Sequence, residues 1–205
     1  MPIFPTELTS NRLHLRRYVA GDADWYAGMA RRNRAHLMRY ESGNEAMRIG
    51  DAGDARRVIA EFAEMAEAGK ACFLGAFRKE DDAFACQIYI GVGNADLPGY
   101  LIGYFCDADH LRRGYVGEAA ATVVDALFGT CGAERIGLGC DDTNVASRRV
   151  AEGLGMRLEG HLRADKRHAD GSVTGSLLFG LLRQEWQAAR TSGAAERAGF
   201  SPPGI

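Results

Sequence analysis

Two periods of apolar spacing take turns along the 205-residue chain. Leu13, Leu15 and Arg17 alternate with His14 and Arg16, the period-two pattern of a strand. A helix start follows at Gly21–Asp24, leading into WYAGMARR. Within Asp54–Glu67, Val58, Ile59, Phe62 and Met65 form an i, i+3, i+4, i+7 stripe, which predicts an amphipathic helix stopped by Gly69. Ala71–Phe77 and Phe84–Val92 are apolar runs on either side of the charged RKEDD stretch and predict a hairpin. Tyr100–Cys106, YLIGYFC, predicts another strand, and Val116, Ala120, Val123, Val124 and Leu127 return to helical spacing. After them come a short strand at Arg135–Cys140 and a short helix at Val145–Leu154 closed by Gly155. Strands at Met156–Leu162 and Val173–Leu182 complete the series.

This order predicts a mixed α/β (α+β) fold, with helices packed on a largely antiparallel sheet. Residues 1–187 read as one domain. Residues 188–205, rich in Ala, Gly, Ser and Pro, read as a flexible tail. With 25 basic against 27 acidic side chains, net charge offers no attraction to nucleic acid or membranes, and neither is expected as a partner. The five cysteines show no C-x-x-C spacing and sit mostly in apolar runs, so they read as reduced, buried thiols with no metal site. The start of the chain lacks the pattern of a secretory signal, and no apolar run approaches the ~18 residues of a membrane span. A cytoplasmic location is the default expectation.

Asp107–Glu118, DADHLRRGYVGE, lies between the YLIGYFC strand and a helix. Gly114 and Gly117 stand at the turn, and Arg112 and Arg113 precede it. A helix N-terminus presents unpaired N–H groups, glycine lets the backbone approach closely, and arginine adds fixed donors, so the segment has the chemistry of an anion site. The same residues also suit a solvated turn, and the pattern is neither a P-loop nor a dinucleotide fingerprint.

The segment resembles the acetyl-CoA loop of GNAT N-acetyltransferases, in particular the RimJ/RimL-like, ribosomal-protein-alanine N-acetyltransferase branch. The resemblance is carried by Phe105, Cys106 and Asp107, then Arg113, Gly114, Tyr115, Glu118 and Ala119. It continues through Asn144, Ser147, Val150, Glu152, Gly155, Met156, Glu159 and Gly160. It ends with Asp170, Gly171, Leu181, Leu182, Glu185 and Trp186. Three positions depart from the family pattern: Leu111 and Val116 in the loop, and Gly175 where an Asp is common. The resemblance implies a twisted, mostly antiparallel sheet of about seven strands with about four helices. It implies acetyl-CoA as co-substrate, no metal, and an amine acceptor, either a small molecule or a protein N-terminus, with homodimers frequent among relatives. The implied coenzyme contacts are Phe105, Cys106, Asp107, Leu111, Arg112, Arg113, Gly114, Tyr115, Val116, Gly117, Glu118 and Asn144.

Acyl transfer to an amine needs a docked thioester, a neutral nucleophile and a proton for the leaving thiolate. Strand-like pairing along Phe105–Asp107 would supply the first. Glu41, Glu45, Glu159 and Asp165 are candidate bases for the second, although each equally suits a solvated carboxylate. Ser147 matches the serine that protonates the thiolate in RimL-like enzymes and is the catalytic candidate. By its place at a helix start it also suits a cap, as does Asn144. Two further readings stay open: a bulkier donor such as succinyl-CoA, and a non-catalytic CoA-binding domain.

Overall fold

The computed structural model describes residues 4–94 and 96–198, with side chains of the last helix described as far as Thr191. One eight-stranded sheet runs through it. Its strands are β1 (Glu7–Thr9), β2 (Leu13–Arg17), β3 (Ala71–Arg78), β4 (Phe84–Asn94), β5 (Gly99–Cys106), β6 (Arg135–Asp141), β7 (Arg157–Arg167) and β8 (Val173–Leu182). Their order is β1-β2-β3-β4-β5-β6-β8-β7. Helices α1 (Ala23–Leu37), α2 (Ala52–Glu67), α3 (Tyr115–Gly129), α4 (Val145–Gly153) and α5 (Arg183–Ala198) flank it. The architecture is the expected one, with one strand and one helix more than anticipated. The added elements are the three-residue β1, too short for a period, and α5. Residues 188–198 of the expected tail continue α5, and 199–205 lie outside the described residues.

The two faces of the sheet build two cores. On β3, Cys72, Leu74 and Ala76 turn to one face and Ala71, Phe73 and Phe77 to the other, as strand alternation requires. The first face packs against Ala119, Val123, Val124 and Leu127 of α3 and Ala151 of α4. The second packs against α1 and α2, where Phe62 stacks on Phe73 with ring centroids 3.8 Å apart. β3 is therefore buried on both sides, which is why its sequence reads as a continuous apolar run. Asp51 starts α2 by accepting a hydrogen bond from the Asp54 N–H at 2.9 Å, and Gly69, at φ 65°, ends the turn beyond it.

Every neighbouring pair of strands is antiparallel except β5 and β6. These two run parallel, joined by the α3 crossover, and pair over only three residues: Gly99 with Arg135, Tyr100 with Ile136, and Leu101 with Gly137. A Cβ on Gly137 would meet the Leu101 side chain at 2.9 Å, so glycine permits this closest approach. Past it the strands part. β5 stays paired to β4 as far as Cys106, and β6 stays paired to β8 as far as Asp141. The sheet is continuous at one end and split at the other.

Candidate active site

The split leaves two facing strand edges without partners. The Asp107 N–H donates to Ala85 O at 2.9 Å. Backbone polar groups alternate sides along a strand, so Asp107, Phe105 and Gly103 address β4, while Cys106, Tyr104 and Ile102 address the split. Of the three residues expected to pair with a thioester arm, only Cys106 points its backbone there. Tyr104, which reads in the sequence as part of a core strand, is the second.

A cavity of about 70 Å³ opens between the edges, and Tyr104, Gly139, Cys140, Asn144 and Ser147 line it. The Tyr104 hydroxyl lies 2.9 Å from Ser147 Oγ, joining β5 to α4 across the gap. Burial raises the Tyr104 phenol well above its ordinary range, so it is a neutral hydroxyl. Ser147 is not the cap of α4. Asn144 fills that place, its Oδ1 accepting from the Ser147 N–H at 3.1 Å. The ambiguity between cap and site thus falls differently for the two residues: Asn144 caps the helix through Oδ1 and also lines the cavity, while Ser147 lines the cavity without capping the helix.

The segment after α1 also contributes to the cavity. Tyr40 and Glu41 lie there, with Lys166 of β7 also lining the space. Among the four candidate bases, Glu41 alone lines the cavity. Glu159 is ion-paired with Arg135, and Asp165 accepts from Ser176 Oγ at 2.7 Å. Glu45 sits in the short helical turn of residues 45–48.

β5 leads directly into the glycine-containing turn. Asp107 is fully buried and accepts from Arg32 Nη2 at 2.6 Å, Asn33 Nδ2 at 3.0 Å and the Asp109 N–H at 2.9 Å. Burial acts to raise its carboxyl, yet these hydrogen bonds prevail and hold it below the ordinary range. Asn33 Oδ1 in return accepts from the Ala108 N–H at 2.8 Å. Asp107 therefore fastens the turn to α1 through its side chain. Leu111, Arg112, Arg113 and Gly114 are all exposed. Arg112 and Gly114 adopt positive φ, 61° and 78°. Gly114 stands at the N-terminus of α3 and offers no side-chain cap. Among the described residues, nothing accepts from the N–H groups of Tyr115, Val116 and Gly117. A Cβ on Gly117 would meet nothing within 4 Å. Such a helix end, bare of side chains and carrying partial positive charge, can bind an anion.

The side chains of two expected contacts in this turn brace it. Glu118 accepts from Ser10 Oγ at 2.7 Å, the Arg12 N–H at 2.7 Å and Arg12 Nε at 2.6 Å, tying α3 to the β1–β2 turn. The Tyr115 ring is buried beneath the Arg12 guanidinium, 4.6 Å from its centroid. Arg12 also donates to Arg113 O at 3.1 Å, which braces the turn from below. Phe105 packs its ring in the α1/α2 core, and Val116 packs against the other. Burial raises the Cys106 thiol to about 11. Sequence reasoning missed Arg12, Asn33, Tyr40, Tyr104 and Lys166, and it gave no sign that Arg32 would hold Asp107.

A split parallel pair leading into a bare helix N-terminus has the geometry to accept an extended ligand along a strand edge, with an anionic end at the helix. A family model described as an acetyltransferase (GNAT) domain matches residues 12–157, and the chain belongs to that family. It is 32% identical over 109 residues to the probable N-acetyltransferase YjcK of Bacillus subtilis (strain 168), a match covering 53% of this chain and 60% of that protein. Mycobacterium smegmatis RimJ, solved in complex with a CoA-disulfide, shares the fold with a TM-score of 0.81 at 24% identity, covering 96% of this chain and 97% of that one. RimL, an α-N-protein acetyltransferase solved with coenzyme A, does so with a TM-score of 0.77 at 16% identity, covering 89% and 99%. Among the described residues, no helix is long and apolar enough to cross a membrane.

Proposed function

We propose that the chain transfers an acetyl group from acetyl-CoA to a primary amine, a protein N-terminus or a small molecule, by direct attack of the amine on the thioester. The observation that carries this is the continuity of the β5 edge with the α3 N-terminus. Pantetheine would pair with the backbone of Tyr104 and Cys106 as an added strand. The diphosphate would meet the N–H groups of Tyr115, Val116 and Gly117, with Arg112 and Arg113 alongside. This placement puts the thioester in the split, where the strand N–H groups can polarise its carbonyl.

The Tyr104 and Ser147 hydroxyls then lie where the thiolate departs. A thiol near pKa ~8.5 leaves readily once a hydroxyl protonates it. The departures at Leu111 and Val116 are compatible with this reading, because the turn grips through backbone rather than side chains.

The test is thiol release from acetyl-CoA and from succinyl-CoA, each with a panel of amines including peptides with free N-termini. Amine-dependent release from acetyl-CoA supports the reading. Preference for succinyl-CoA would change the donor, and tight CoA binding without turnover on any amine would make the chain a binding domain.

A further inference from the structure

We propose that Glu41 is the general base that takes the acceptor's proton, so that the amine enters from the α1 side of the split, opposite the Tyr104–Ser147 hydroxyl pair. The inference rests on the acyltransferase reading and names the acceptor side of that same site.

Three observations carry it. Glu41 lines the same cavity as Tyr104 and Ser147, and its charge acts on the Tyr104 phenol. Its segment is held in place: the Glu41 N–H donates to Leu37 O at 2.7 Å, and the Tyr40 hydroxyl donates to Thr143 O at 3.3 Å. That second contact ties the end of α1 to the β6–α4 loop across the mouth of the split. Finally, among the described residues the Glu41 carboxylate has no ion-pair partner within 4 Å. Its hydrogen bond from Asn44 Nδ2 is long, at 3.4 Å. Burial pushes its carboxyl up from the ordinary range, against the pull of Asn44 and Lys166 and with the push of Glu45. The groups facing it are Lys166 from β7, Glu45 from the following turn, Tyr104 from β5, and Cys140 and Asp141 from β6.

The incoming ammonium gives one proton to the Glu41 carboxylate, and the freed lone pair forms the C–N bond at the thioester carbonyl. The C–S bond breaks, and the thiolate takes a proton through the Tyr104–Ser147 hydroxyls. The nitrogen loses its second proton to that pair, leaving amide and thiol. Glu41 returns its proton to solvent.

Glu41→Gln keeps the shape and removes the base. With a peptide α-amine as acceptor, kcat should fall about 100-fold near neutral pH, while the acetyl-CoA Kd measured by calorimetry stays within about twofold. The pH profile separates a base from a structural role. In the parent, kcat/KM should be flat from the Glu41 titration up to the amine's own pKa. In the variant it should rise tenfold per pH unit up to about pH 8, because only amine already neutral in solution can react. Glu41→Asp should regain part of the rate and the flat profile. Equal rates and identical profiles in parent and Glu41→Gln would overturn the assignment of the base alone. A parent that releases no thiol with any amine would overturn the reading of function, and this assignment with it.

Discussion

The hydroxyls of Tyr104 and Ser147 meet at 2.9 Å across the gap where β5 and β6 part, so two elements far apart in sequence share one proton-carrying contact. Tyr104 reaches it from a strand edge and Ser147 from the first turn of α4. If this pair protonates the departing thiolate, Tyr104→Phe and Ser147→Ala should each lower kcat about 10-fold or more, with little change in acetyl-CoA Kd. The double variant should cost less than the product of the two, because one contact is lost twice. Steady-state kinetics with direct binding measurements on all four proteins checks this.

Glu118 tests the division between holding the turn and holding the ligand. Its carboxylate accepts three hydrogen bonds from Ser10 and Arg12, and these hold its pKa below the ordinary range despite partial burial. Glu118→Ala should cost about 2 kcal/mol of stability, read by chemical denaturation. Affinity for acetyl-CoA should fall far less than it does on altering Gly114.

Asp141 makes stability depend on acid pH. Burial acts to raise its carboxyl, but hydrogen bonds from Thr143, Thr174 and His168 lower it to about 2, against an ordinary 3.8. A depressed folded-state pKa contributes stability above the unfolded value that is lost as pH falls through the folded one. The gap corresponds to about 2 kcal/mol. Asp141→Asn should therefore be less stable than the parent by about that amount near pH 7, with the difference closing between about pH 4 and pH 2. Unfolding free energies measured across that window check it.

Gly175 stands where the sequence departs from the pattern it resembles, and its surroundings leave little room for a side chain. A Cβ there would meet Asp142 Oδ2 at 2.5 Å, Leu162 O at 2.5 Å and His161 Nε2 at 2.7 Å. Restoring the carboxylate by Gly175→Asp should not raise activity. Both it and Gly175→Ala should destabilise by about 1–3 kcal/mol, seen as a lowered Tm.

The strands and helices that pack against both cores were legible in the sequence because burial imposes period on them, as at Val58, Ile59 and Phe62. β1 and α5 were not, since three residues hold no period and α5 is polar and small-residue rich. Within the site, the backbone part was legible: Gly114 and Gly117 mark a bare helix end by residue type alone. The side-chain part was not. Tyr104 sits in an apolar run and reads as core. Glu41 lies in an irregular segment whose distance from Ser147 depends on how α1 crosses the sheet. Asp107 and Glu118 fall in the right segment, yet their carboxylates brace it, a distinction that depends on Asn33, Arg32, Ser10 and Arg12 arriving from elsewhere in the chain.

In the proposed function, the split between β5 and β6 and the bare N-terminus of α3 hold one acetyl-CoA. Amide hydrogen exchange with and without acetyl-CoA tests it most directly. Slowed exchange at Tyr115, Val116 and Gly117, together with Tyr104 and Cys106, is the predicted result, and Gly114→Glu should abolish it by placing bulk and negative charge at the turn. Binding that leaves these amides unprotected would contradict the account.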